Sequence, residues 1–389
     1  MKPCLVKTSP VLLALLALAQ APLLAYGQQP VASFFYDERG NVTRQERDTN
    51  GDGKMDRWTY YNPQGQIERI EQDVNFDGKP DIFIYYENGK PRREEIATKN
   101  DGHIDLWYYL NQDGKIERKG QDTTGLGKQT VWVYYQNGQP VRSEENTKSS
   151  ESASRTVYFQ DGKIGRIDED TNGDGRVDSF SYFENGHLVR KELDRKHSGK
   201  IDLWGYYRDG RLVKQEEDLR GDGNVSRIVH FKGDEVVRRE EDTTGRGGID
   251  MIETFAQGRL SKRLRDAKGM RKWDTVYYFK DNELFREERD TDGDGFFDLR
   301  IFYERGQILR QEADTNRDQR VDVWVKFENG ERVEQLEDQN FRGKITARYL
   351  FKGNELAGQE QVPDGEPPSK PAPFITVEQE LQTMAGNRL

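Results

Sequence analysis

The sequence predicts an all-β protein: an elongated antiparallel meander or solenoid of about 13 tandem 24-residue β-hairpin repeats, with a short C-terminal helix. Three observations lead there. An Asp-rich segment returns every 24 residues, with two steps of 25, starting at Asp48, Asp73, Ala97, Asp122, Asn146, Asp170, Asp194, Asp218, Asp242, Asp266, Asp290, Asp314 and Asp338. A strand-like aromatic patch and then a turn dipeptide follow each start, as in Phe180-Ser181-Tyr182-Phe183 and Asn185-Gly186. The 389 residues are only 33% hydrophobic, too few for a thick core, yet they include 18 Phe, 18 Tyr and 6 Trp, whereas disordered chains are poor in aromatics. A β-propeller is the alternative; pairing two repeats per blade should impose an alternation at twice the repeat length, and the intact Asp loops show none.

The elements follow in chain order. In 1–27, Lys2 and Lys7 precede the apolar run from Val11 to Ala25, which ends in Ala25-Tyr26-Gly27. This is the layout of a secretory signal peptide, with a retained membrane anchor as the alternative. Cys4, the one cysteine, precedes the run, where a lipid-bearing cysteine would follow it. Without the leader the chain holds no thiol, and 58 basic residues face 70 acidic ones, a net charge of −12. An acidic, exported chain with no second apolar span is a poor nucleic-acid binder. Its expected place is periplasmic, cell-surface or secreted.

Residues 28–361 form the repeat domain, with a half copy from Phe35 to Arg47 ahead of Asp48. Asn-Gly and Asp-Gly pairs such as Asn88-Gly89, Asp161-Gly162 and Asn329-Gly330 tolerate the positive φ of a tight hairpin. Four residues past the glycine stands a cation (Arg44, Arg69, Arg93, Arg118, Arg142, Arg166, Arg190, Lys214, Lys262, Arg310), and six past it usually an acid (Glu46, Glu71, Glu95, Glu144, Asp168, Glu192, Glu216, Glu312). Even offsets share one strand face. The columns are therefore expected to stack as an aromatic ladder and a charged ladder whose opposite charges face each other across strands. A unit this short buries nothing alone, so its neighbours supply the core.

Five loops read Asp-x-Asn/Asp-x-Asp-x-x-x-Asp: Asp48, Asn50, Asp52 and Asp56; Asp73, Asn75, Asp77 and Asp81; Asp170, Asn172, Asp174 and Asp178; Asp290, Asp292, Asp294 and Asp298; Asp314, Asn316, Asp318 and Asp322. Hard oxygen ligands at positions one, three, five and nine, with the carbonyl of position seven, suit Ca²⁺. Position six is Gly53, Gly78, Gly175 or Gly295, but Gln319 in the last loop; position eight is mostly apolar (Met55, Val177, Phe297, Val321), which would pin the loop to the sheet. Plain Asx turns are the alternative, although such turns have no need for several mutually repelling carboxylates. The other loops lose the pattern, and lysine enters at Lys99, Lys148, Lys196 and Lys268, where it would replace the ion's charge.

These loops resemble the calcium loops of EF-hands, dockerins and FG-GAP repeats. Position twelve is Thr59, Ile84, Ser181, Ile301 or Val325 rather than Glu, which excludes the helix-loop-helix version. The run Phe35-Tyr36-Asp37-Glu38-Arg39-Gly40-Asn41-Val42 resembles the YD repeats of Rhs-type proteins, and Tyr86-Glu87-Asn88-Gly89 and Phe183-Glu184-Asn185-Gly186 resemble the MORN-like repeats of the YwqK group. Both resemblances imply an extended or shell-forming hairpin meander with a binding or scaffolding role.

Residues 362–374 are proline-rich and read as a linker. In 375–389, Thr376 with Gln379 forms a capping-box pattern, and Val377, Leu381 and Met384 share one helical face. Such a helix suits docking to a partner, or folding back as a cap on the last repeat. The four histidines (His103, His187, His197, His230) occupy unrelated repeat positions, and no phosphate-binding glycine loop occurs, so no enzyme is expected. The functional expectation is an exported, non-catalytic, calcium-stabilised scaffold or interaction protein of the bacterial envelope, whose partner is an envelope protein or polysaccharide. The alternative is a polysaccharide binder that stacks sugars on the column Trp58, Trp107, Trp132, Trp204 and Trp324.

Overall fold

The computed structural model describes residues 31–146, 153–366 and 374–385; the leader, Lys148 and residues 367–373 of the proline-rich stretch lie outside them. Twenty-eight strands, β1 (Ala32–Tyr36) to β28 (Glu355–Glu366), precede one helix, α1 (Val377–Ala385). The chain divides into a unit ending at Gln139, with β1 to β9 (Val131–Gln136), and a unit from Pro140, with β10 (Gln139–Glu145) to β28 and α1. Within each unit every strand pairs antiparallel with the one that follows it. This is the predicted all-β meander, and among the described residues of each unit no blade break interrupts it as a propeller requires. Among the described residues no helix is long and apolar enough to cross a membrane.

Turn chemistry makes the hairpins. Between β13 (Ser179–Glu184) and β14 (His187–Leu193), Asn185 and Gly186 have φ of 51° and 84°, as a two-residue turn of the I′ type requires. The pairing shifts by one residue just before this turn, between Tyr182 and Phe183. Across the preceding Asp loop, β12 (Lys163–Glu169) meets β13 in unbroken register. The two 25-residue steps arise in longer turns: at 62–65 the Asn62 side chain accepts the N–H groups of Gln64 and Gln66 at 3.0 and 2.9 Å. Because the turn absorbs the extra residue, no column changes face. Each Asp loop adds rungs of its own: Asp56 N–H donates to the Arg47 carbonyl at 3.0 Å, and Asp73 N–H to the Asp56 carbonyl at 2.9 Å.

On one face, cations and aromatics alternate along a row perpendicular to the strands. Arg69 stands opposite Tyr60 on one side and Tyr85 on the other. Its guanidinium lies 4.4 Å from the Tyr60 ring centroid, with Arg93 at 4.1 Å over Tyr85 and Arg310 at 3.9 Å over Phe302. The same cations bond the acid two residues along their own strand, Arg69 to Glu71 at 2.8 Å and Arg93 to Glu95 at 3.1 Å. For this column it corrects the expected cross-strand ion pairs: the slot opposite each of these cations holds an aromatic ring, so the carboxylate is reached along the strand. Facing charges do pair in another column, as Arg300 with Glu288 at 2.8 Å and with Glu312 at 3.1 Å. The phenols close the network, Tyr60 donating to Glu71 at 3.2 Å. Each stacked cation contributes about 0.5–1 kcal/mol at such half-exposed sites.

Gly186→Ala places a Cβ in open space but at φ 84°, a backbone cost of about 1–2 kcal/mol. Amide exchange in β13 and β14 should accelerate about 5- to 30-fold, with no change in the distant β23 (Leu299–Glu304) and β24 (Gln307–Ala313), because repeats couple only to their neighbours.

Candidate metal loops and the docked tail

Each loop that opens with an aspartate is organised by that residue. Asp48 accepts the N–H groups of Gly51 and Gly53 at 2.6 and 2.8 Å; Asp290 accepts those of Gly293 and Gly295 at 2.6 and 2.9 Å. Asp314 does the same with Arg317 and Gln319, so glycine is not obligatory at position six. Asp170 caps Gly173 and Gly175, and Asp73 caps Asp77 and Gly78. Loops without the metal pattern share this hub: Asp122, Asp218 and Asp242 cap their glycines identically. The first position is therefore a property of the repeat.

Position nine is likewise a repeat feature. Asp56, Asp178, Asp298 and Asp322 accept the N–H and hydroxyl of Thr49, Thr171, Thr291 and Thr315. Thr130, Ser226 and Thr346 take the same place through a hydroxyl oxygen. In the Asp73 loop position two is Val74, which has no hydroxyl; Asp81 accepts the Val74 N–H, and its Oδ1 is buried without a partner.

Positions three and five distinguish the five loops. Asn50, Asn75 and Asn172 accept the N–H of Asp52, Asp77 and Asp174 and turn their amide NH₂ toward the same carboxylates at 3.1–3.2 Å. Asn316 caps Asp318 in the same way at 2.9 Å. With Asp292 at position three there is no amide, and Asp290, Asp292 and Asp294 bring one oxygen each within 4.8 Å of one another. Among the described residues this is the acidic group that converges as a metal site does. Burial, and after the Thr291 contacts the Asp292 and Asp290 charges, push the Asp298 carboxyl up, and burial does the same to Asp322. Hydrogen bonds from Lys54 N–H and the Asn50 side chain hold Asp52 low.

Cations link successive loops. Lys196 and Lys268 reach carbonyls of the loop that follows, Leu219 at 3.0 Å and Thr291 at 2.8 Å. Arg317 pairs backwards with Asp292 at 2.6 Å, and Arg220 forwards with Asp242 at 2.8 Å. The histidines stay in separate repeats, His197 beside Asp178 and His230 beside Glu240, both at 3.2 Å, with His103 and His187 exposed. In the tryptophan column Trp107 is buried and Trp58, Trp132, Trp204 and Trp324 are half-buried.

The tail docks on its own unit rather than capping the last repeat. Thr376 and Gln379 form the reciprocal capping box, at 2.9 and 3.0 Å. Phe374, Val377 and Met384 enter a cluster with Ile252, Leu264, Val276, Phe297 and Val321, and Leu381 packs against it. Lys262 bonds Glu380 at 2.5 Å, the Tyr278 hydroxyl donates to Glu380 at 3.1 Å, and Arg238 donates to the Met384 carbonyl at 3.1 Å. The footprint was visible in the sequence as gaps. Trp58 and Trp204 face Glu71 and Glu216, but the same row under α1 reads Ile252, Leu264, Val276. Leu264 thus replaces the column's acid where an apolar helix face must land.

Burial pushes the Asp122 carboxyl up, but the Thr124 hydroxyl and the N–H groups of Thr124, Gly127 and Gly125 outweigh it, bringing it from 3.8 to about 2. Its contribution to stability is therefore complete above the ordinary value and is lost as pH falls through the lowered one. Amide exchange in 122–130, corrected for its intrinsic pH dependence, should accelerate from about pH 4 to about pH 2, and Asp122→Asn should abolish that dependence.

No family model and no curated protein matches the chain. Among solved structures, that of TcdB2-TccC3 is 12% identical, with a TM-score of 0.14, over 82% of this chain and 24% of that one. That of TcdB2-TccC3-Cdc42 is 11% identical, with a TM-score of 0.12, over the same shares. The chain thus spans about a quarter of the chains it matches, and TM-scores this low establish no common fold.

Proposed function

We propose that the protein is an exported, non-catalytic scaffold of the bacterial envelope, a hairpin-repeat surface for protein partners, whose Asp loops are reinforced by calcium. The observation that carries the calcium reading is the convergence of Asp290, Asp292 and Asp294; the orphaned, buried Asp81 Oδ1 supports it in a second loop. Oxygen-only donors on a short loop are the chemistry of a hard divalent cation. Asp48, Asp170 and Asp314 head the remaining candidate loops, with an amide oxygen in place of the third carboxylate. The half-buried tryptophans favour a protein partner over stacked sugars, and the apolar leader supports export.

At ten times its Kd a site gains about 1.4 kcal/mol, so several sites together rival the stability of an ordinary domain. The test is thermal unfolding of residues 28–389, followed by far-UV circular dichroism. Calcium should raise the midpoint relative to EGTA, magnesium should raise it much less, and Asp292→Ala/Asp294→Ala should remove part of the gain. A midpoint indifferent to calcium would reduce all five loops to Asx turns.

A further inference from the structure

We propose that β1 is a receiving edge, which takes an extended segment of a protein partner as one more strand and reads it by a Lys or Arg laid against Phe35. This rests on the scaffold reading above and names, for one edge, where a partner strand sits; calcium plays no part in it.

The ladder shows what this edge lacks. Tyr60, on β3 (Arg57–Tyr61), stands between two cations, Arg44 of β2 (Val42–Arg47) and Arg69 of β4 (Ile67–Gln72). Phe35 holds the same position on β1 but faces Arg44 alone, whose guanidinium lies 4.1 Å from the ring centroid. Among the described residues β1 pairs with β2 only. On the opposite face, Phe34 belongs to the column of Thr59, Val157, Ser181, Val229 and Ile301. Those five are buried, each between two strands, whereas Phe34 is 48% exposed.

Native sheets blunt their edges with charge, proline or bulges. The last strand of the second unit follows that rule. Its ladder ends in Leu350 of β27 (Ile345–Lys352) facing Gly358 of β28, with neither ring nor cation, and β28 carries Glu355, Glu360 and Pro363. β1 does not follow it: Ala32–Tyr36 has no charged residue and no proline, and Phe34, Phe35 and Tyr36 are all exposed.

Register across an Asp loop then specifies the partner. Arg44 faces Tyr60, Gln45 faces Thr59 and Glu46 faces Trp58. An antiparallel segment in that register sets a cation on Phe35, an apolar residue against Phe34 and an acid opposite Ser33. The acid neutralises the cation along its own strand, as Glu46 does for Arg44 at 2.8 Å. The main chain supplies affinity and alternate side chains supply specificity, as in other strand additions. A second copy's β1 has no cation to offer, so the ladder selects a partner strand that reads cation, apolar, acid.

The probe is a synthetic hairpin peptide copying Arg155–Glu169, whose second strand, β12, presents Arg166, Ile167 and Asp168 in that order. In the chain 28–389, amide exchange of 32–36 should be fast, and the peptide should slow it while leaving 355–361 unchanged. Arg166→Ala in the peptide should weaken its apparent affinity about two- to fivefold, the range for a cation on a ring at an exposed site. Phe35→Leu in the chain should cost the same factor toward the parent peptide and nothing toward the Arg166→Ala peptide. Phe34→Lys, at an exposed position, should abolish binding with the circular dichroism spectrum unchanged. A peptide that leaves 32–36 unprotected, or binds equally well without Arg166, overturns the proposal. So does slow exchange of 32–36 in the free chain at high dilution, which would mean that the chain covers its own edge. Protection that rises with chain concentration, with a dimer in sedimentation, would make a second copy the occupant and overturn it too. The calcium-dependent midpoint is measured separately, so failure at β1 leaves that reading untouched.

Discussion

A sheet whose strands meet only their neighbours in sequence has no second layer to cover its faces, and the fold depends on how that surface is shielded. Here a cation lies flat on the aromatic ring of the facing strand and is neutralised by an acid on its own strand. The guanidinium of Arg69 covers Tyr60 while Glu71 holds it in place, so one side chain acts as both the lid and the link of a repeat. Aromatic area that would need an opposing sheet is shielded by groups that water also tolerates. This reconciles a charged fraction equal to the hydrophobic one, 33% each, with an ordered chain.

The Asp loops divide labour by position. The first and ninth residues bond backbone and hydroxyl donors in repeats with and without the metal pattern, and the loop stands on those bonds alone. That leaves the third and fifth positions free to vary. Asn at the third position satisfies a neighbouring carboxylate by itself, and cations sent between loops, such as Arg220 to Asp242, settle others. Asp290, Asp292 and Asp294 combine acids at all three positions, and there Arg317 of the next loop pairs with Asp292. A metal would be an addition to a loop already built, so the pattern can lapse without breaking the repeat.

Period, strand order, turn type and capping box were all legible, because each is fixed by bonds within one repeat or between adjacent ones. The slot facing Arg69 and its equivalents was misread because side-chain period assigns a face and not a partner; the partner depends on register between the strands. The second bond of the ninth aspartates was not legible for a similar reason: it is made to Thr49 or Thr171, residues the metal pattern leaves unspecified. The tail's landing place was written in the sequence as an interruption at Ile252, Leu264 and Val276. It takes a three-dimensional partner to show that the interruption is a fit.

The tail also changes how the second unit would carry load. Strands that bond only to their neighbours unzip one hairpin at a time when a chain is pulled from its end, since each rung is loaded in turn. Here a pull on the segment beyond Ala385 arrives first at α1, held by Lys262, Tyr278 and Arg238 and strapped to Gly295 and Phe297. The hairpins from β23 to β28 then lie in a side loop that bears no tension. The tail works as a strain relief, and the last hairpins feel force only after it has torn free.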